Sequence, residues 1–132
     1  ARPLSPFADA MHRGWGLSAG AVIAGRRAEE AAAARLLGVE RANLPFRDAI
    51  YRGDQYDSDE RLFGEPAPHE RSLPDDLVQS LELPAVPDGS TVLYVPLAVG
   101  AHVDHQHAFR AGVALARLGW PVGSVAGRLS RA

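Results

Sequence analysis

The sequence has 132 residues, a length typical of one domain. Hydrophobic residues make up 46% of it, charged residues make up 23%, and the formal net charge is −2. These values argue against a disordered chain and against a basic nucleic-acid-binding surface. No apolar run approaches the roughly 18–20 residues that span a bilayer, and the first residues lack the apolar segment of a signal peptide. We therefore expect a soluble, cytoplasmic protein with no nucleic-acid or membrane partner.

Cysteine and lysine are both absent from the sequence. Without cysteine there is no thiol nucleophile, disulfide or thiolate metal site, so His, Asp and Glu remain as the strong metal ligands. Without lysine the chain cannot host Schiff-base chemistry, a P-loop lysine or a Ser–Lys dyad. All 14 basic residues are arginine, and with the high alanine content this suggests a GC-rich bacterial genome.

The first half of the chain is predicted to be mainly helical. Residues 7–12 can form a short helix within a stretch that is rich in glycine and proline. Residues 21–37 consist largely of good helix formers and are followed by Gly38, the residue type that commonly ends a helix. Residues 39–49 have the apolar pattern of a strand, centred on 43–47, that runs into a loop. Residues 51–74 show no hydrophobic periodicity and predict a long surface loop.

The second half predicts an alternation of helices and strands. Residues 75–81 favour a short helix, and residues 91–95 predict a strand with apolar side chains on both faces, ended by Pro96. Residues 104–118 predict a helix that ends at Gly119, and a further strand is expected to begin at about 120–122. Such an alternation, with strongly apolar strands, predicts an α/β layer fold with a mainly parallel sheet.

Three of the five histidines lie within six residues, after the predicted strand and at the start of the next helix. Because α/β sheets bind ligands at the carboxyl ends of their strands, this loop is a candidate site. On the helix His105 faces the sheet edge, whereas His107 shares a polar stripe with Arg110 and Arg117. His105 is therefore the candidate metal ligand, and we expect His107 to be exposed. The alternative is structural: Asp104 caps the helix, and the histidines are partly buried and hydrogen-bonded.

Two further groups of charged residues are candidates. Arg26 precedes Glu29, and Arg27 precedes Glu30, by three positions on the predicted helix. Since Arg placed before Glu is the weaker orientation, this arrangement is worth only a few tenths of a kcal/mol to the helix. A solvated charged face remains the simpler interpretation. Asp48 is the third candidate because it follows the strand predicted at 43–47, although it is equally consistent with an ordinary loop carboxylate.

A rival signal comes from residues 16–20, which fit the G-x-S-x-G pattern of a nucleophile elbow. Ser18, Asp48 and His102 also follow one another in the chain order of the α/β-hydrolase triad. The pattern requires a strand before the serine, however, and residues 9–15 do not favour one. Ser18 is therefore interpreted as a helix N-cap or loop serine, and a serine hydrolase is kept as a lesser alternative.

Three segments in consistent order resemble one family. Residues 95–105, VPLAVGAHVDH, are similar to the second metal motif, H-x-D-H, of the PIG-L/LmbE-type N-deacetylases. The R-x-x-E sequence at 26–29, followed by Leu-Gly-Val at 37–39, resembles the R-x-x-E…LGV helix of that family. Residues 44–52, LPFRDAIYR, resemble the segment that follows in one bacterial branch. The resemblance covers about residues 1–122.

The resemblance implies a Rossmann-like three-layer fold and zinc-dependent hydrolysis of an N-acetyl or other N-acyl group on an N-acetylglucosamine-like conjugate. In this family match His105 is the metal ligand, His102 faces the reacting carbonyl, and Asp104 supports a neighbouring imidazole. Arg26 and Asp48 match positions that bind sugar hydroxyls. The implied cofactor is Zn²⁺ or another divalent metal, and the implied partner is a small amino-sugar conjugate.

One motif of the family is missing from the sequence. The family's H-x-D-D motif supplies two metal ligands and the general base, and no H-x-D-D occurs here. The aromatic and acidic segment expected after the last strand is not evident in residues 123–132. We therefore expect an incomplete domain without its first strand or strands, whose apolar edge favours a homo-oligomer. These residues alone are predicted to bind zinc weakly and to lack activity. A non-catalytic α/β binding or structural module is the alternative.

Overall fold

A computed structural model describes residues 4–125, with the backbone alone at Ala19. The chain forms two compact units, Ala1–Asp57 and Ser58–Ala132. Together they give a mixed α/β protein with five α-helices and a two-stranded parallel sheet in the described part of the chain. Residues 126–132, which belong to the stretch where the aromatic and acidic segment of the family is not evident, lie outside the described residues.

The first unit contains two α-helices whose ends follow local sequence signals. Helix α1 spans Pro6–Trp15, where the prediction was 7–12, and helix α2 spans Ala19–Leu37, where it was 21–37. The Ser18 hydroxyl accepts a hydrogen bond from the Ala21 amide at 3.3 Å, which confirms the interpretation of Ser18 as an N-cap. Gly38 ends α2 with a left-handed φ of 66°, a conformation that costs glycine little.

The strand predicted within residues 39–49 is wrong. The structure has irregular backbone over residues 39–48, followed by a 3₁₀ turn at Ala49–Tyr51. Pro45 lies in the middle of the segment and cannot donate to a sheet, and none of the described strands pairs with it. A short apolar pattern becomes a strand only when a neighbouring strand satisfies its backbone groups.

The two helices of the first unit differ in burial. Helix α1 buries Ala8 and His12, and the 3₁₀ turn buries Ala49 and Ile50. Among the described side chains of α2, by contrast, Val22 alone is buried. The exposed large residues at the end of this helix are Leu36 and Leu37.

The second unit begins with two short elements that the sequence did not predict, followed by a helix that it did. Helix α3 spans Asp59–Leu62, a second 3₁₀ turn spans Pro68–Glu70, and helix α4 spans Leu73–Ser80. Helix α4 confirms the helix predicted at 75–81. The surface loop predicted for 51–74 is wrong in part, because this stretch contains short helical elements and buries Leu62, Ala67 and Glu70.

A β-α-β unit forms the rest of the second unit. Strand β1 spans Leu93–Pro96, helix α5 spans Val103–Arg117, and strand β2 spans Val122–Val125. The strands are parallel, with Leu93 opposite Val122 and Pro96 opposite Val125. These elements confirm the strands and the helix predicted from residue 91 onward. The helix ends at Arg117, one residue before the predicted end, and Leu118 is 64% exposed.

Helix α5 lies very close to strand β1. A Cβ atom at Gly112 would be 2.7 Å from Cγ2 of Val95, which is nearer than carbon atoms can approach. Glycine therefore permits this contact between helix and strand. The expectation of a strand buried on both faces is wrong, because Tyr94 and Val92 are 70% and 52% exposed. Val95 packs against the helix, whereas Tyr94 alternates to the other side of the strand, as a period of two residues requires.

In the part of the chain that the structure describes, none of the helices is long and apolar enough to cross a bilayer.

Candidate functional site

The loop of residues 97–102 connects strand β1 to helix α5 and carries the first residue of the H-x-D-H motif. Ala98 and Ala101 both have a φ of 60°, and Gly100 has a φ of 91°. A left-handed backbone is uncommon for alanine, so the tertiary structure holds this loop in an unfavourable conformation. The Ala101 amide donates to the Ala98 carbonyl at 3.0 Å and closes a tight turn directly before His102.

His102 is the N-cap residue of helix α5. Its Nδ1 atom accepts a hydrogen bond from the Asp104 backbone amide at 3.2 Å. The structural alternative made Asp104 the N-cap, and this is wrong because the helix already begins at Val103. Asp104 instead lies in the first turn, where a carboxylate interacts favourably with the amino-terminal end of the helix dipole.

The side chains of His102, Asp104 and His105 are all half-buried. The ring centroids of His102 and His105 are 5.4 Å apart, with an interplanar angle of 47°. The ring of Phe63 lies edge-on to His102, with centroids 5.3 Å apart. The structure thus brings the two predicted histidines together at the carboxyl end of β1, beside an aromatic residue that the sequence analysis did not select.

His107 is buried, contrary to the sequence expectation. It is 1% exposed, and its Nε2 atom lies 3.0 Å from Oε2 of Glu70, which is itself 7% exposed. The prediction was wrong because Glu70, in the 3₁₀ turn before α4, packs against His107, whereas Arg110 and Arg117 of the same stripe are exposed. Within residues 4–125, the buried Nδ1 atom of His107 has no hydrogen-bond partner.

Gln106 provides a second attachment between α5 and the preceding segment. Its side-chain amide donates to the carbonyls of Gly64 at 2.7 Å and Ala101 at 2.6 Å. The histidine loop and the stretch around Phe63 are therefore connected to the same helix turn. Sequence reasoning missed Phe63, Glu70 and Gln106. Neither periodicity nor spacing marks a contact between residues about 40 positions apart.

Zinc is the cofactor that the family resemblance implies. A catalytic zinc site takes three protein ligands. Residues 4–125 contain no group of three His, Asp or Glu side chains that could hold a metal ion. The described residues therefore do not fit a complete zinc site.

In the first unit, Arg26 and Asp48 line the same groove, between helix α2 and the segment that follows it. Its volume is about 790 Å³. Asp48 precedes the 3₁₀ turn rather than following a strand, since the predicted strand does not form. Tyr51 also lines the groove and accompanies the two predicted residues. Burial and the nearby Asp48 carboxylate raise the pKa of Tyr51, and Arg26 acts in the opposite direction.

The charge pairs expected on α2 are not ion pairs in the structure. Among the described residues, neither Arg26 with Glu29 nor Arg27 with Glu30 lies within salt-bridge distance. The guanidinium of Arg26 instead lies 5.6 Å from the ring centroid of Trp15, in cation–π geometry. All four side chains are exposed, which agrees with the interpretation of a solvated charged face.

A buried histidine lies behind Tyr51. His12 is 3% exposed, and its Nε2 atom is 2.7 Å from the Tyr51 hydroxyl oxygen. The Trp15 ring packs beside it, with centroids 5.6 Å apart. Sequence reasoning did not select His12 or Tyr51, because the hydrogen bond joins residues 39 positions apart.

A scan against protein-family models, a search of curated proteins and a search of solved structures each returned no match to this chain.

Proposed function

We propose that this chain contributes the imidazole side of a metal-dependent N-deacylase site on a Rossmann-like three-layer fold. The substrate class is an amino-sugar conjugate that carries an N-acetyl or other N-acyl group, hydrolysed in the cytoplasm. The observation that carries the proposal is the pair of half-buried rings of His102 and His105, 5.4 Å apart at the carboxyl end of a parallel strand. The resemblance of residues 95–105 to the PIG-L/LmbE-type H-x-D-H motif supports it.

The hydrogen bond at His102 determines which ring nitrogen carries the proton. Because Nδ1 accepts from the Asp104 amide, the neutral ring has its proton on Nε2. A neutral imidazole of this tautomer donates a hydrogen bond. Such a donor stabilises the negative charge that develops on a carbonyl oxygen when an amide is attacked. In this proposal His102 is therefore the residue that contacts the reacting carbonyl.

His105 is the metal ligand of the proposal. It lies on the first turns of α5, one helical turn from His102, on a helix that is attached to the preceding segment through Gln106 and His107. These hydrogen bonds fix the helix turn that carries His105, and a metal ligand requires such a fixed backbone position. Since residues 4–125 do not complete a zinc site, the other ligands would come from outside that range.

For the first unit by itself, we propose that Arg26 and Asp48 bind sugar hydroxyls, as the family resemblance implies. Both line the groove of the first unit, and a guanidinium with a carboxylate offers both donors and acceptors to ring hydroxyls. The Arg26 guanidinium already lies over Trp15, so this side chain loses less conformational entropy when a ligand binds.

The test uses protein expressed from the complete reading frame, with an N-acetylglucosamine conjugate as substrate. We expect chelation to abolish amine release and zinc to restore it. His105→Ala should lose bound metal. His102→Ala should keep the metal but lose turnover by about 100- to 1,000-fold, the typical effect of removing one oxyanion donor. His69→Ala is the matched control, because His69 is an exposed histidine of the same unit and should change neither property.

Activity that survives exhaustive metal removal would overturn the proposal, and so would equal metal loss in both variants. For the 132 residues alone we expect a zinc affinity weaker than micromolar by titration calorimetry and no amine release. A tighter stoichiometric affinity would mean that these residues hold a complete ligand set.

The second candidate function is a non-catalytic binding module of the same fold. The lack of a three-ligand group within residues 4–125 favours it. Binding of an amino sugar by the complete protein, with no amine release at any metal concentration, would support the module over the enzyme.

A further inference from the structure

The groove of the first unit is rich in guanidinium groups. The arginines among its lining residues are Arg26, Arg27, Arg41 and Arg47. Its carboxylates are Glu30, Glu40 and Asp48. Arginine presents several N–H donors in a planar fork that matches the oxygens of a carboxylate or a phosphate.

The carboxylates of the groove leave most of these arginines unpaired. Arg41 lies 3.8 Å from Glu30, at the outer limit of an ion pair. Within residues 4–125, the ion pairs involve neither Arg26, Arg27 nor Arg47. The backbone at Arg47 is fixed, because the Arg52 guanidinium donates to its carbonyl at 2.8 Å. Arg27 and Arg47 are thus available to a negatively charged ligand, whereas Arg26 lies over Trp15.

The Tyr51 hydroxyl adds a neutral donor to the groove. The Nδ1 atom of His12 is buried and, within residues 4–125, has no hydrogen-bond partner. A buried nitrogen without a partner costs less as a lone pair than as an N–H group. The proton of His12 therefore resides on Nε2 and is donated to the Tyr51 oxygen at 2.7 Å. Tyr51 remains free to donate its own proton to a ligand oxygen.

The protonation state of Tyr51 agrees with this role. Burial and the Asp48 carboxylate raise the pKa of its hydroxyl above the ordinary value of 10.0. Tyr51 consequently stays neutral and keeps its donor at physiological pH.

We propose that the groove binds an anionic group, a carboxylate or a phosphate ester, carried by the ligand, with Arg47 and Arg27 facing the charge and Tyr51 donating to an oxygen. The inference rests on the proposed function only for the sugar part of that ligand. Recognition of the anion belongs to the first unit and needs neither the metal nor the histidine loop.

Titration calorimetry on the complete protein tests the inference with three probes. These are N-acetylglucosamine, its 1-phosphate, and N-acetylmuramic acid, which carries a carboxylate. We expect at least one charged probe to bind about tenfold more tightly than the neutral sugar at low salt, and the preference to shrink as salt screens the exposed arginines. The probe that binds more tightly identifies the anion as phosphate or carboxylate.

Two variants and a control assign the preference to the groove. Arg47→Ala should weaken binding of the preferred charged probe about tenfold and leave the neutral sugar unchanged. Tyr51→Phe keeps the ring but removes the donor, and a loss of about three- to tenfold is expected. Arg35→Ala is the matched control, since Arg35 lies on helix α2 but outside the lining residues, and its loss changes the net charge equally.

Equal affinity for charged and neutral probes would overturn the inference while leaving the proposed function intact. It would also fail if Arg35→Ala lost as much affinity as Arg47→Ala, or if no charged probe bound at millimolar concentration. Conversely, a charged preference that disappears in Arg47→Ala, persists in His102→Ala and occurs without amine release would support the inference and contradict the proposed enzyme.

Discussion

The two long helices of the molecule are stabilised in different ways. Helix α2 has 19 residues, good helix formers and caps at both ends, yet Val22 is the one buried residue among its described side chains. Helix α5 has 15 residues and buries five of them against the rest of the second unit. Helix α2 is stabilised mainly by the helix propensity of its residues, and helix α5 mainly by tertiary packing. An isolated helix of the length of α2 is close to marginal stability, so the two helices should respond differently to the same substitution.

The largest expected difference comes from Leu→Ala at one position of each helix. Leu115 is 3% exposed and Leu36 is 89% exposed. Leu115→Ala should lower the free energy of unfolding of the second unit by about 2–5 kcal/mol, because it removes buried carbon and leaves a cavity. Leu36→Ala should change stability by no more than about 0.5 kcal/mol. Urea unfolding followed by circular dichroism measures both effects.

A cost above about 1 kcal/mol for Leu36→Ala would contradict this comparison. It would mean that another surface covers α2 in solution. Sedimentation analysis of Leu36→Asp would then show whether that surface belongs to a second copy of the chain.

The two substitutions of a second pair should change the stability of the protein in opposite directions. Gly112→Ala forces a Cβ against the branched side chain of Val95 and should destabilise the second unit by about 1–3 kcal/mol. Gly25→Ala places a Cβ in open space on α2 and should stabilise that helix by about 0.4–1 kcal/mol. Thermal unfolding of the two variants checks the signs. A stabilising Gly112→Ala would show that β1 and α5 are not in close contact.

The smallest expected effect is at Tyr51 and is confined to alkaline pH. Because its pKa is raised in the folded state, the folded protein holds this proton more tightly than the unfolded chain does. The stability that this pKa shift contributes to the folded protein is complete below the ordinary pKa of 10.0. It is lost as pH rises through the pKa of the folded state. Since Tyr51 is only partly buried, we expect an effect below about 1 kcal/mol.

Difference absorbance of tyrosinate measures the Tyr51 titration, with Tyr51→Phe as the reference protein. The midpoint assigned to Tyr51 should lie above 10.0. A midpoint at or below that value would mean that the nearby Arg26 outweighs burial and Asp48.

Features with local causes were predictable from the sequence. Gly38 and Gly119 marked the ends of the two long helices, and Ser18 was recognised as a cap, because these signals act within a few residues. The position of His102 and His105 after a strand was also predictable, since a strand followed by a helix fixes where the loop lies.

Features that depend on distant partners were not predictable. The segment at 43–47 looked like a strand, but none of the described strands lies beside it. His107 looked exposed because its partner, Glu70, lies 37 positions earlier in a stretch without periodicity. The same limitation hid the hydrogen bond between His12 and Tyr51. Single-sequence patterns describe one element at a time, whereas each of these residues is determined by a second element.

The two alanines with a φ of 60° make the conformation of the loop after β1 depend on its neighbours. Each left-handed alanine stores about 1–2 kcal/mol, which the surrounding contacts must offset. The side-chain amide of Gln106 donates to the carbonyls of both Ala101 and Gly64, so it connects the loop to the stretch around Gly64. Loss of these two hydrogen bonds would therefore favour a relaxed loop. The segment around Gly64 thus helps to keep the loop after β1 in its strained conformation.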